Sequence, residues 1–183
     1  MATSLDQIAA FLENRGLRFR REDERSIILV PFRLEEIENL LVVVRLEENG
    51  EFLKIFTPKL FIYLDGPHKL PLMQTLLMTS WESKMLQWEY DPTDGELRAI
   101  IEFPIEDSIL TEKQFFRAFE GLVNLVRIFH PRIRQVIESG ADPGREDKGT
   151  PSDELTRAFL DFLRQRGGAD EDGTGGGEPP DAL

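Results

Sequence analysis

The chain has no cysteine. That excludes disulfides, thiolate metal sites, thiol redox chemistry and cysteine nucleophiles together. Histidine is nearly as scarce: only His68 and His130 occur, far apart, too few for a His-based zinc centre. There is no apolar run near the ~20 residues a membrane-spanning helix needs. The first sixteen residues lack both a basic stretch and an unbroken apolar stretch, so they do not read as a signal peptide, and a cytoplasmic location is expected. Positive charge is also in deficit. A net charge of −12 over 183 residues, with a pI near 4.7, disfavours nucleic acid and anionic lipid as partners, because both would repel such a surface.

What is present is an ordinary soluble composition, 40% hydrophobic and 31% charged, in a chain long enough for one domain with a core plus appendages. Ser4 and Gln7 form a capping-box pattern ahead of Leu5, Ile8, Phe11 and Leu12, and Gly16 suits a helix end, so the first helix is placed at 5–15. Strand-like stretches follow at 17–21 and 26–32. Two more, at 39–45 and 51–56, are joined by Asn49-Gly50, a two-residue hairpin signal in which both residues favour positive φ. Residues 61–64 extend the sheet or lead out of it. Residues 68–80 read as a helix with Leu72, Met73, Leu76 and Leu77 as its buried stripe, and Pro71 tolerated in its first turn.

Two-fold alternation marks 86–90 and 97–103 as the arms of a hairpin. A second capping box, Thr111 with Gln114, opens a helix carrying Phe115, Phe119, Leu122, Val123, Val126 and Phe129 on one face. Pro131 is expected to end or kink it, although Ile133, Val136 and Ile137 keep helical spacing beyond. Residues 1–138 are thus one domain and 139–149 a polar Gly/Pro linker. Thr150, Pro151 and Asp153 then start a short amphipathic helix over 150–166, and 167–183 is an acidic tail expected to be disordered.

The residues that could carry chemistry all have plainer explanations. Asp91-Pro92-Thr93-Asp94-Gly95-Glu96 fails the register of a calcium loop and suits a tight turn. Glu102, Glu106 and Asp107 lack a pocket to push their pKa values apart, and His130 reads as a helix-terminal histidine. The arginine-rich run from Arg15 to Arg25 reads as a solvated face neutralised by Glu22 to Glu24, with Leu17 and Phe19 turned inward. No nucleophile elbow or phosphate loop is present. No catalytic residue, cofactor or metal is therefore expected. The partner-binding candidates are Leu155, Phe159, Phe162 and Leu163, the apolar stripe of the helix after the linker, which needs a surface to bury against.

Residues 70–137 carry a resemblance. LPLMQTLLMTSWESKMLQWEYDPTDGELRAIIEFPIED, followed by TEKQFFRAFEGLVNLV, gives a Leu-rich helix, a short strand, a D-x-x-D-G turn, a second strand ending near Pro104 and a T-x-x-Q-F helix. The pattern resembles the YbjN family, which shares the fold of class I type III secretion chaperones, and residues 5–64 follow the same order more loosely. The resemblance implies an α+β fold, an antiparallel sheet with helices mainly on one face, in the order α-β-β-β-α-β-β-α. It also implies a non-enzymatic interaction, chaperone-like or regulatory module that binds a protein partner and can form a homodimer. The alternative is a small-ligand-binding protein or an enzyme whose pocket is not visible in sequence.

Overall fold

The structure, a computed structural model, describes residues 2–144. Its elements are α1 (Leu5–Asn14), β1 (Arg20–Glu22), β2 (Ile27–Phe32), β3 (Leu40–Glu47), β4 (Phe52–Ile62), α2 (Lys69–Glu82), β5 (Gln87–Tyr90), β6 (Glu96–Pro104) and α3 (Glu112–Ser139). Four strands precede α2, at the strand-like stretches 17–21, 26–32, 39–45 and 51–56, one more than the order that the resemblance implies. The strands form one antiparallel sheet in the order β1-β2-β3-β4-β6-β5. One compact unit runs through Pro143. The expected helix at 150–166 and the tail at 167–183 lie outside the described residues, as does the linker from residue 145.

Alternation decides which side of the sheet is covered. Ile28, Val30, Val42, Val44, Leu53, Ile55, Leu97, Ala99 and Ile101 share one face and join α1, α2 and α3 in a single core. The opposite face carries a cross-strand row, Leu29, Val43, Phe56 and Ile100, in direct register. The guanidinium groups of Arg45 and Arg98 sit 5.6 and 5.2 Å from the centre of the Phe56 ring. Lys54 bridges Glu47 at 3.1 Å and Glu102 at 3.5 Å. Its hydrogen bond to Glu47 and the nearby charges hold the ammonium above its usual pKa.

Local chemistry explains the boundaries. Ser4 caps α1 by accepting from the Gln7 backbone, but the Gln7 side chain donates to the Leu110 carbonyl at 2.8 Å instead of closing the box. Thr111 and Gln114 form the full reciprocal box at the start of α3. β3 and β4 pair as the Asn49-Gly50 signal requires, but the connection is longer than two residues. Glu47 stands opposite Phe52, and Glu48, Asn49 and Gly50 all take positive φ. Gly50 is required there for a second reason: its carbonyl accepts from the Thr3 backbone at 3.2 Å, and a Cβ would overlap the Thr3 carbonyl.

Pro131 does not end α3, which continues to Ser139. A proline inside a helix costs about 3 kcal/mol. Phe129, Ile133 and Val136, all buried around it, each return roughly 1.5–3 kcal/mol, so packing wins. His130 is consequently not terminal. It lies inside the helix, buried, with its ring stacked 4.8 Å from Phe61. No helix among the described residues is long and apolar enough to cross a membrane.

Candidate functional site

The acidic loop after β5 is a turn. Asp91 donates its backbone N–H to the Glu96 carbonyl at 2.9 Å, and Gly95 donates to the Asp91 carbonyl at 2.8 Å. The Asp91 carboxylate accepts from the Thr93 backbone and hydroxyl at 2.8 and 2.6 Å, which holds its pKa below the usual carboxylate value. Asp94 accepts from Glu96 N at 3.0 Å, so both carboxylates serve their own loop. Gly95 has φ +76°, and a Cβ there would overlap the Leu64 backbone. Among the described residues no group of three or more His, Asp or Glu is placed to hold a metal.

Two polar hollows bear on the small-ligand alternative. One, of about 480 Å³, is lined by Glu89, Asp91, Glu96 and Arg98, with Glu89 and Arg98 paired to each other. The other, about 510 Å³, is bordered by Arg20, Glu22 and Arg25, where Glu22 takes both arginines. Their principal charges are engaged with one another. The arginine-rich run follows suit: Arg21 is held by Asp6 and Asp23, and Arg15 reaches Glu120 at 3.2 Å and Glu112 at 3.9 Å. Leu17 and Phe19 pack against the core as expected.

The feature with no such internal explanation is α2. Its inward face buries Leu72, Thr75, Leu76 and Thr79. Thr79 returns its hydroxyl to the carbonyls of Thr75 and Leu76, both at 3.0 Å. Arg132 on α3 pins the helix from below. It makes two bonds to Glu82 at 3.0 and 3.1 Å and two to Asp142 at 2.7 and 2.9 Å, and Asp142 also accepts from the Thr75 hydroxyl at 3.0 Å. At the other end, the His68 backbone donates to the Tyr63 hydroxyl at 3.0 Å and the His68 ring meets the Ile137 carbonyl at 3.1 Å.

The outward face of this rigidly held helix is also apolar. Leu70, Leu77 and Trp81 follow at i, i+7 and i+11, which puts them on one stripe, and they are 69, 72 and 73% exposed. Met78 flanks the stripe on one side. On the other, Met73, Leu76, Leu77 and Ser80 form a groove of about 170 Å³ with Trp88 and Tyr90 of β5. Met85, leading into β5, and Leu64, whose carbonyl accepts from Tyr90 Oη at 3.1 Å and Lys69 Nζ at 3.0 Å, extend the apolar surface at about half exposure. Among the described residues β5 is an edge strand, paired with β6 alone. Trp88 Nε1 is buried there without an acceptor.

Sequence reasoning misplaced part of this surface. Leu77 was expected in the buried stripe and is among the most exposed residues of the helix; Met73 is half-buried at the groove. A helix apolar on two faces gives periodicity no stripe to select. The usable signal was that excess, Leu70, Leu77, Met78 and Trp81 beyond what one buried face requires. Leu155, Phe159, Phe162 and Leu163 lie outside the described residues.

No family model matches the sequence, and no curated protein matches it. Solved structures do. The crystal structure of YbjN from E. coli, described there as a proposed transcription regulator, aligns with a TM-score of 0.52 at 13% identity, over 70% of this chain and 92% of that one. A HopA1–SchA chaperone–effector complex aligns with a TM-score of 0.46 at 15% identity, over 67% of this chain and 88% of that one. The fold is YbjN-like.

Proposed function

We propose that this chain is a non-enzymatic protein-binding module that holds a protein partner on the surface formed by α2 and the edge of β5. The observation that carries the reading is the outward stripe Leu70, Leu77 and Trp81 on a helix already packed along its inner face. A helix apolar all round belongs in an interior, so a partner completes the burial. The adjoining β5, which ends the sheet among the described residues, is an edge of the kind that extended segments pair with. A second copy of the chain is one form such a partner can take. The cytoplasm is the proposed compartment, and the acidic balance supports a protein partner over nucleic acid or an anionic membrane. A small-ligand site needs convergent, unengaged polar groups in a deep pocket, and the polar hollows offer mutually paired charges instead.

The test is affinity capture with the full chain beside a Leu77→Glu/Trp81→Glu variant. The expected result is a specific protein held by the parent and lost by a variant whose melting temperature is unchanged. Identical captured sets would refute the reading.

A further inference from the structure

We propose that Met78 and Met85 are sites of reversible oxidation, and that a peroxide releases the protein partner by converting their thioethers to sulfoxides. The proposal rests on the reading of the α2–β5 surface as a docking site and adds how that site is regulated.

The distribution of sulfur carries the inference. Cysteine is absent, so the thioethers of four methionines are the chain's whole sulfur inventory. Beyond Met1 these are Met73, Met78 and Met85, all in the stretch that forms α2 and leads into β5. Both tryptophans, Trp81 and Trp88, belong to the same stretch. The buried core among the described residues is built from Ile, Leu, Val, Phe and Ala and contains no methionine. Met78 and Met85 are instead 48 and 49% exposed, and Met73 is half-buried in the groove beside Trp88 and Tyr90. Met78 stands three residues ahead of Trp81, the spacing of neighbours on a helix surface.

A thioether is flexible, polarizable and apolar, which suits a surface that adapts to what it covers. It is also open to oxygen transfer. The methionine sulfur attacks one oxygen of the peroxide; the S–O bond forms as the O–O bond breaks, and the other oxygen leaves as water with both peroxide hydrogens. Sulfur is oxidised and the peroxide reduced, leaving a polar, chiral sulfoxide. In the free chain that group is solvated at little cost, because both side chains stand half in water. Under a partner it is a desolvated acceptor, so each covered sulfoxide should weaken binding at least about tenfold. Neither Met78 nor Met85 packs in the core, so the fold persists while the surface changes character. Two thiols reverse the step, leaving as a disulfide while the oxygen departs as water; sulfoxide reductases catalyse this for each epimer.

The test treats the full chain with hydrogen peroxide, maps sulfoxides by peptide mass spectrometry, and repeats the affinity capture from lysate beside a Met78→Leu/Met85→Leu variant. Sulfoxide should accumulate at Met78 and Met85 ahead of the less exposed Met73, with the melting temperature held. The protein captured by the untreated chain should fall at least about tenfold for the oxidised one. Sulfoxide reductases with dithiothreitol should restore it, and without cysteine the dithiothreitol has no bond in the chain to reduce. The Leu variant should capture equally before and after peroxide. Undiminished capture by the doubly oxidised chain, earlier oxidation of Met73, or a loss that the Leu variant shares would overturn the proposal and leave the docking site standing. Identical capture by the untreated chain and its Leu77→Glu/Trp81→Glu variant would overturn the docking reading itself, so the two failures are distinct.

Discussion

Arg132→Met tests whether α2 is held as described. The Arg132 guanidinium is 9% exposed and donates four bonds to two carboxylates, Glu82 and Asp142, whose side chains are 17 and 22% exposed. The hydrogen bonds to Asp142, followed by those to Glu82, hold its pKa above the ordinary arginine value against the opposing effect of burial. Removing one member of a buried ion pair costs about 3–5 kcal/mol, because the remaining charge, here chiefly Glu82, stays desolvated and loses its counter-charge. Partial hydration of both carboxylates places this site at the lower end, about 3 kcal/mol. At roughly 2–4 °C per kcal/mol for a chain of this size, the melting temperature should fall by about 6–12 °C. Thermal and urea unfolding measure the loss. Glu82→Gln in the Arg132→Met background removes one stranded charge, so the double variant should lose less than the two single losses summed, with a coupling of about 1 kcal/mol or more. Simple additivity within about 0.5 kcal/mol would refute the account of a coupled cluster.

Gly95→Val should destabilise the β5–β6 hairpin by at least about 2 kcal/mol, because a β-branched residue must take φ +76° and overlap Leu64; urea midpoints check it. His130 titrates below its ordinary value because burial, then the Arg134 charge, disfavours the imidazolium against a smaller opposing effect of Glu36. The unfolded chain thus binds a proton that the fold rejects, and stability falls as pH drops below about 6.5. His130→Phe should flatten that slope between about pH 7 and pH 5, and an unchanged slope would assign it elsewhere. Leu77→Glu/Trp81→Glu should shift stability by no more than about 0.5 kcal/mol per site, since both side chains are mostly in solvent, and should reduce binding of an apolar dye; a large loss of stability would place them in the core.

The parts of the fold legible in the sequence are those where one local cue has no competitor. Thr111 and Gln114 fixed the start of α3 because the full box has few other uses. The alternation around Asp91–Glu96 specified both arms of the hairpin, since only one register puts Leu97, Ala99 and Ile101 on the buried side. Asn49-Gly50 announced a hairpin correctly but not its length, because the three left-handed residues are set by a distant contact, Thr3 docking on Gly50. Pro131 gave a local stop signal that tertiary burial on both sides outweighed. The candidate surface was the least legible. Periodicity reports which residues could be buried, whereas Leu77 and Trp81 are distinguished by what the rest of the domain leaves uncovered.

The strand order also sets where folding time is spent. β1 to β4 pair between sequence neighbours; Val43 meets Phe56 and Leu29 meets Val43 across 13 and 14 positions (56 − 43 and 43 − 29). The seam between β4 and β6 instead joins Ile55 to Ile101, 46 positions apart (101 − 55), after α2 and β5 have been threaded past. Closing that larger loop costs about 1 kcal/mol more than closing a local one, and the reward arrives only when the seam zips. Until then the eleven-residue β4, largely apolar, presents a bare edge to other nascent chains. Ile101→Val should accordingly slow refolding, whereas Leu29→Ala at the far side should chiefly hasten unfolding; the reverse assignment in stopped-flow kinetics would place the nucleus in the early meander.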